Sequence, residues 1–298
     1  MSPKHLEHLA QHRAHRYLEA SAHNRRTLNG GLAQASLPRH HEALVQRLYR
    51  FRWLIYELVL RDLKLRYRGS ALGFMWTLLN PLLFMGVYTL VFGVYLKVGI
   101  ADFPLYLLSG LLPWNWFANA LQTGTSAIVD GRMYVGKTVF PTEALLVVPV
   151  ASNLINFLLS LPVFVVLSIA LHGHLGIALL ALPLVIVLQS VVVFSVVTLF
   201  ATFNVLYRDM QQLVSYFVML SFYLTPIFYA TKSIPEAIRP FAEINPMVSL
   251  VRCYQHILFA NTFPAWGDLA YLAVTGLVLY GIAQMAYNHY HDSFGEYL

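Results

Sequence analysis

Five stretches of this sequence contain no Asp, Glu, Lys or Arg: 69–96, 103–129, 144–207, 210–231 and 269–291. Each exceeds the roughly 20 apolar residues that a helix needs to cross a hydrocarbon core about 30 Å thick. The longest, 144–207, has room for two crossings, because His172, Gly173, His174, Leu175 and Gly176 place a polar, flexible turn at its centre. The expected fold is therefore an all-α integral membrane protein with six transmembrane helices, at about 71–96, 105–127, 144–171, 177–203, 211–230 and 266–288. Only 11% of the residues are charged, less than half the share usual in a soluble domain.

The charges that remain are placed unevenly. Of 20 Lys and Arg residues, 13 lie in 1–68, against five acids there. By the positive-inside rule the N-terminus is cytoplasmic. Six crossings return the C-terminus to the same side and make 127–143 and 204–210 cytoplasmic loops, which carry Arg132, Lys137 and Arg208. Four basic residues, Lys97, Lys232, Arg239 and Arg252, are then left outside. The pI of about 9.4 thus reflects topology, and nucleic acid is not an expected partner. No short apolar core with a small-residue cleavage site opens the chain, so no removable signal peptide is expected. The single cysteine, Cys253, offers neither a disulfide nor a zinc pattern.

Three units follow from these patterns: a polar arm over 1–45, an amphipathic cytoplasmic helix over 46–68 and the six-span domain over 69–298. In the arm, His5, His8, His12 and His15 share one helical face, but no acidic or cysteine ligand completes a metal site. A solvated arm is the preferred reading. Over 47–68, Tyr49, Trp53, Tyr56, Leu60, Leu63 and Tyr67 recur at helical spacing, while Arg47, Arg50, Arg61, Lys64 and Arg68 follow another face. Such a helix suits the membrane surface, as an anchor on anionic lipid or a docking element for a cytoplasmic partner. Gly69 and Gly73 let the chain turn from that surface into the first span. The second span carries Pro113, Trp114, Asn115, Trp116 and Phe117, unusually polar and bulky for lipid-facing filler. Between spans five and six, Pro235, Pro240, Pro246 and Pro264 forbid one continuous helix. Two short helices, about 234–243 and 246–259, re-entering the membrane are expected there.

Gly131 to Thr138 literally satisfies GxxxxGK[ST]. A phosphate cradle needs a strand before that loop and an unbroken helix after it. Here a membrane span precedes it and Pro141 follows, so nucleotide binding is rejected. A short cytoplasmic helix from Asp130 to Phe140 is expected instead, capped by Asp130 and presenting Arg132, Tyr134, Lys137 and Phe140 to a partner. No acid lies within the charge-free stretches that form the spans, which argues against a proton- or sodium-coupled carrier. An intramembrane serine protease is disfavoured because Ser109 lacks the upstream glycine and His172 and His174 lie in a turn. A transferase acting on lipid-linked sugars needs a placed acid, and Glu143 and Asp209 form no recognisable pair.

Four stretches, collinear over about 47–298, carry a resemblance: RDLKLRYRGSALGFMWTLLNPLL at 61–83, LSGLLPWNWF at 108–117, VGKTVFPTE at 135–143 with NVLYRDM at 204–210, and LTPIFYATKSIPEAIRPFAEINPMVSLVR at 224–252. Together they resemble the membrane-spanning subunits of type-2 ATP-binding-cassette exporters for surface polysaccharides, the carriers of O-antigen, capsule or teichoic acid. The resemblance implies a homodimer in the plasma (bacterial inner) membrane, with a channel at its interface and two copies of a separate soluble ATPase below. It implies no catalytic residue and no cofactor in this chain, ATP and magnesium belonging to the ATPase. It implies coupling through the interface helix (Trp53, Arg61, Lys64, Arg66 and Tyr67) and through the loop carrying Arg132, Tyr134, Lys137 and Phe140. Trp114, Trp116, Phe117, Tyr223, Phe228 and Tyr229 become candidates to stack on sugar faces in the channel. Lys64, Arg66 and Arg68 become candidates for the diphosphate lipid head. The same architecture also serves exporters of drugs or other lipids, which the aromatic clusters and the proline-rich outer segment disfavour.

Overall fold

The computed structural model describes residues 44–70, 72–135, 140–172 and 176–297, and within them the chain is helical, with no strand. Helices α1 (Leu44–Arg50) and α2 (Arg52–Tyr67) precede the membrane helices. Then come α3 (Trp76–Tyr88), continued by a π-helical stretch Thr89–Tyr95, and α4 (Phe103–Thr125). Two single turns follow, α5 (Ala127–Asp130) and α6 (Arg132–Val135). The long helices α7 (Thr142–His172) and α8 (Leu182–Leu206), the latter preceded by a 3-10 stretch Ile177–Ala181, lead to α9 (Met210–Leu224). The chain ends with α10 (Arg239–Glu243), α11 (Pro246–Tyr254), α12 (Trp266–Tyr290) and α13 (Phe294–Tyr297). The histidines of the N-terminal arm lie outside the described residues.

Among the described residues, four helices are long and apolar enough to cross a membrane: Trp76–Tyr95, Thr142–Leu171, Ile177–Leu206 and Trp266–Tyr290. They coincide with the expected spans one, three, four and six. Regular helix in the first begins only at Trp76, because Gly69 and Gly73 take left-handed φ of +78° and +51° and a 3-10 turn, Gly73–Met75, intervenes. Expected span two, α4, is long enough but not apolar enough. Trp, Pro, Asn and Gln lower its hydropathy, and most of its residues are buried by other helices. Expected span five, α9, is a shorter apolar helix of 15 residues.

Helix α4 is the hub, lying against α7, α8, α9 and α11, while α12 runs along α8. Its closest approach to α8 is at Gly124, where an added Cβ would stand 2.5 Å from Cγ1 of Val197. Val197 is β-branched, fully buried and stiff at χ1, so it has little freedom to retreat. Gly124→Ala is expected to destabilise the detergent-solubilised protein by about 1–3 kcal/mol, and adding Val197→Ala to recover most of that loss. Thermal melting of the two variants beside the wild type measures both effects.

Buried side-chain amides secure the helices where proline disturbs them. Gln189, on α8, donates from Nε2 to the carbonyl of Pro113 at 2.8 Å, and Gln255 donates to the carbonyl of Pro226 at 2.9 Å. Asn245 caps α11 by accepting from the Met247 amide at 3.0 Å. Such bonds matter most where no water can substitute.

Candidate functional site

The aromatic residues separate into two groups on opposite faces of α4. Trp114 lies 5.5 Å from Phe117 and 5.6 Å from Phe222, ring centre to ring centre. Phe222 continues to Tyr88, Tyr223 and Phe228 at 5.8, 5.4 and 5.7 Å. Phe228 touches Phe92 at 4.6 Å and Tyr229 at 5.1 Å. Five of the six expected channel residues therefore belong to one connected cluster, and the structure adds Phe84, Tyr88, Phe92 and Phe222 to it. Phe84, Tyr88 and Phe92 recur every four residues in the first span, a pattern visible in the sequence. Trp116 is not part of the cluster. Its indole stacks on Phe157 of α7 at 5.4 Å and donates from Nε1 to the Val150 carbonyl at 3.2 Å.

Only one edge of the cluster is open. Trp114, Phe117 and Phe228 are buried, whereas Tyr223 and Phe84 are more than half exposed. Around them Leu83, Val87, Tyr95, Met219, Leu220 and Leu224 are exposed as well, giving a broad apolar face shared by the first span and α9.

Helix α2 has three faces where the sequence suggested two. Leu58 and Val59 are buried, and with Asp62 and Arg66 they point toward α7, against which α2 packs. Arg66 donates to Oδ1 of Asn153 on α7 at 2.8 Å and pairs with Asp62 at 3.3 Å. Trp53 and Tyr56 occupy the opposite side, exposed, and Arg52 lies over the exposed Tyr49 ring at 4.4 Å. Lys64 and Arg68 are exposed on the remaining side, with Arg61. The three residues expected at the diphosphate head thus diverge, Arg66 turning into the bundle while Lys64 and Arg68 face outward. The side chains of Tyr67 and Tyr134, together with Lys137, lie outside the described residues.

Of the expected helix from Asp130 to Phe140, residues 136–139 lie outside the described residues; the described part shows two single turns broken at Gly131, and Phe140 is non-helical. Gly131 is pressed against Leu145 of α7, whose Cδ1 would stand 2.5 Å from an added Cβ. Asp130 closes α5 just before that contact, and α6 follows it with Arg132 exposed. A helix, not a strand, precedes the GxxxxGKT stretch, so the geometry of a phosphate loop is not met.

Beside Trp116 opens a cleft of about 320 Å³ between α2, α3, α4 and α7. Its walls carry Asn80, Asn115, Asn119, Asn153 and Asn156, with Arg66 and Trp76 at the side of α2 and α3. Among the described residues no acidic side chain lines it. Among the described residues no group of three or more His, Cys, Asp or Glu is placed to hold a metal ion.

The profile of the ABC-2 type transporter family matches residues 54–259, which takes in α2, the aromatic cluster and the amide-lined cleft. The chain belongs to the ABC-2 type transporter family. Within it, the O-antigen export system permease protein RfbA of Myxococcus xanthus is 39% identical over 255 residues, covering 85% of this chain and 98% of that protein. A protein of the same description from Klebsiella pneumoniae is 32% identical over 80% of this chain and 92% of its own. The polysialic acid transport protein KpsM of Escherichia coli is 22% identical over 74% of this chain and 87% of its own. As an ABC-2 family member the chain is a transport subunit of the membrane.

Proposed function

We propose that this chain is the permease of an ATP-driven exporter that moves lipid-linked polysaccharide outward across the bacterial inner membrane. The observation that carries the reading is the near-complete match to the Myxococcus xanthus O-antigen export permease, together with the aromatic cluster. Six crossings are supported by the four long apolar helices, by α4 at 23 residues, roughly 34 Å, and by α9. The segment carrying α10 and α11 is the re-entrant element, and both termini are cytoplasmic. The exposed apolar face of the first span and α9 is the homodimer interface, where Phe84 and Tyr223 from two protomers would meet and line the channel. Two copies of a separate ATPase, which supplies ATP and magnesium, dock on the outward faces of α2 and on the loop carrying Arg132. Aromatic rings suit this cargo, since they stack on the apolar faces of sugars without demanding one sequence of them.

Deletion of the gene tests the reading. A surface polysaccharide should disappear while its lipid-linked precursor accumulates on the cytoplasmic side, and an unchanged surface and precursor pool would overturn the proposal. Lys64→Glu with Arg132→Glu, both exposed, is expected to reduce ATPase stimulation in the reconstituted complex several-fold with the permease still inserted. The measurement is phosphate release by the ATPase with each permease variant.

A further inference from the structure

Three of the five asparagines of the cleft, Asn80, Asn115 and Asn119, ask for a ligand. Asn153 is engaged, accepting from Arg66 and donating to the Pro149 carbonyl at 2.8 Å. Asn80, Asn115 and Asn119 form no side-chain hydrogen bond among the described residues, although they line the same space. Asn119 and Asn115 stand six and ten residues before the end of α4 at Thr125, about 9–15 Å along the helix. In the proposed topology that depth is the inner half of the bilayer. Amides left without partners there are costly, and side-chain amides are rarely retained at membrane depth except to join helices or to meet a polar ligand.

We propose that this cleft seats the sugar nearest the lipid of the exported glycolipid before translocation, with Arg66 directed at the adjoining phosphate. The proposal rests on the exporter reading and adds a recognition site separate from the aromatic channel face. Each amide offers two donors and one acceptor, the complement of neighbouring hydroxyls, which both donate and accept. With no carboxylate among the described residues of its walls, the cleft does not suit a cation. The one charge among those residues is the guanidinium of Arg66, with the side chain 27% exposed and, among the described residues, two of its N–H groups committed, to Asn153 and Asp62. An Arg fork at the rim of a neutral amide pocket fits an anionic group joined to an uncharged polar one. Trp76, partly exposed at the cleft, supplies an apolar ring for a sugar face. A volume of about 320 Å³ lies at the small end of ligand pockets, which span roughly 300–1,000 Å³. It accommodates one or two sugar rings and excludes a polymer, so the cleft reads the start of the chain. Asn115 and Trp116 face it while Trp114 and Phe117 face the aromatic cluster, so adjacent residues of one helix would serve the two steps.

The test uses the permease–ATPase complex in nanodiscs and three probes: a polyprenyl diphosphate carrying one hexose, the same diphosphate without sugar, and phosphatidylglycerol. Wild type should bind the sugar-bearing lipid at least tenfold more tightly than the sugar-free one. Asn115→Leu with Asn119→Leu should abolish that preference and leave the affinity for the sugar-free diphosphate unchanged, while Arg66→Gln weakens both. Asn80→Leu, at an exposed side chain with no hydrogen bond to lose, should show the same loss in part and guards against a folding defect in the double variant. Equal binding of all three probes by wild type would make the cleft a general lipid site and overturn the proposal. Retention of the sugar preference in the asparagine variants would overturn it too, while leaving the exporter reading in place. Failure of the exporter reading itself shows separately, as an unchanged cell surface after gene deletion.

Discussion

Phe228→Ala is expected to destabilise the protein by about 3–5 kcal/mol and to lower its thermal midpoint in detergent more than substitution of any other ring in the aromatic cluster. Phe228 is 8% exposed and contacts Tyr88, Phe92, Phe222, Tyr223 and Tyr229 at ring-centre distances of 6.5, 4.6, 5.7, 6.1 and 5.1 Å. These partners come from the first span, from α9 and from the turn after it. Removing the ring therefore opens a cavity where three segments meet and also forfeits two edge-to-face contacts, with Tyr223 and Tyr229, each worth about 0.5–1.5 kcal/mol. Phe228→Leu, which keeps most of the volume, should lose only about 1–2 kcal/mol. Tyr223→Ala makes the informative contrast. That side chain is 57% exposed, so its loss should barely move the midpoint. If it lines the proposed channel, export should fall nonetheless. Equal destabilisation by both alanine variants would show that the exposed edge is already covered in the solubilised protein.

The membrane helices were legible because charge is expensive in hydrocarbon, and charge-free runs of that length rarely arise in a chain that stays in water. Thr142–Leu171, Ile177–Leu206 and Trp266–Tyr290 match their charge-free runs to within a few residues. What periodicity could not supply was the neighbour each face would meet. On α2, Asp62 and Arg66 stand four residues apart, a spacing that says nothing of what lies beside them, yet they turn toward α7, where Asn153 accepts from the guanidinium. The sequence-level contrast between aromatic and cationic faces concealed that third, inward face. In α4, WNWF reads as one cluster because its residues are consecutive. A helix turns about 100° per residue, so Trp114 and Phe117 meet Phe222 while Asn115 and Trp116 face the cleft. The break at Gly131 was hidden for a different reason, since it depends on Leu145, a residue in the next helix.

Arg252→Met is expected to destabilise the junction of α11 with α12 by about 2–4 kcal/mol, and Arg252→Met with Asp268→Leu by less than the single change. Arg252, on α11, donates to Asp268 at 2.7 Å and approaches Glu243 at 3.7 Å. Asp268 is the acidic residue in the first turn of α12, and its side chain is only 11% exposed. Removing the arginine leaves that carboxylate poorly solvated and without its cation, a larger penalty than the pair's own net contribution. The helix N-terminus offsets part of the penalty through its positive end, worth about 0.3–1 kcal/mol, which keeps the expectation below that for a wholly buried pair. Replacing both partners with apolar residues removes the stranded charge, hence the milder double variant. Glu243→Gln should stay within about 0.5 kcal/mol, because its carboxylate is 46% exposed and its contact with Arg252 is long. Thermal or denaturant unfolding of these variants, with Asp268→Leu alone completing the cycle, measures the coupling. The pair ties the segment after α9 to the start of the last membrane helix, so in the proposed exporter a loosened tie should also alter transport. An ATPase rate retained alongside reduced export in Arg252→Met would give this tie a part in transport itself, and export reduced only in proportion to folded protein would limit it to stability.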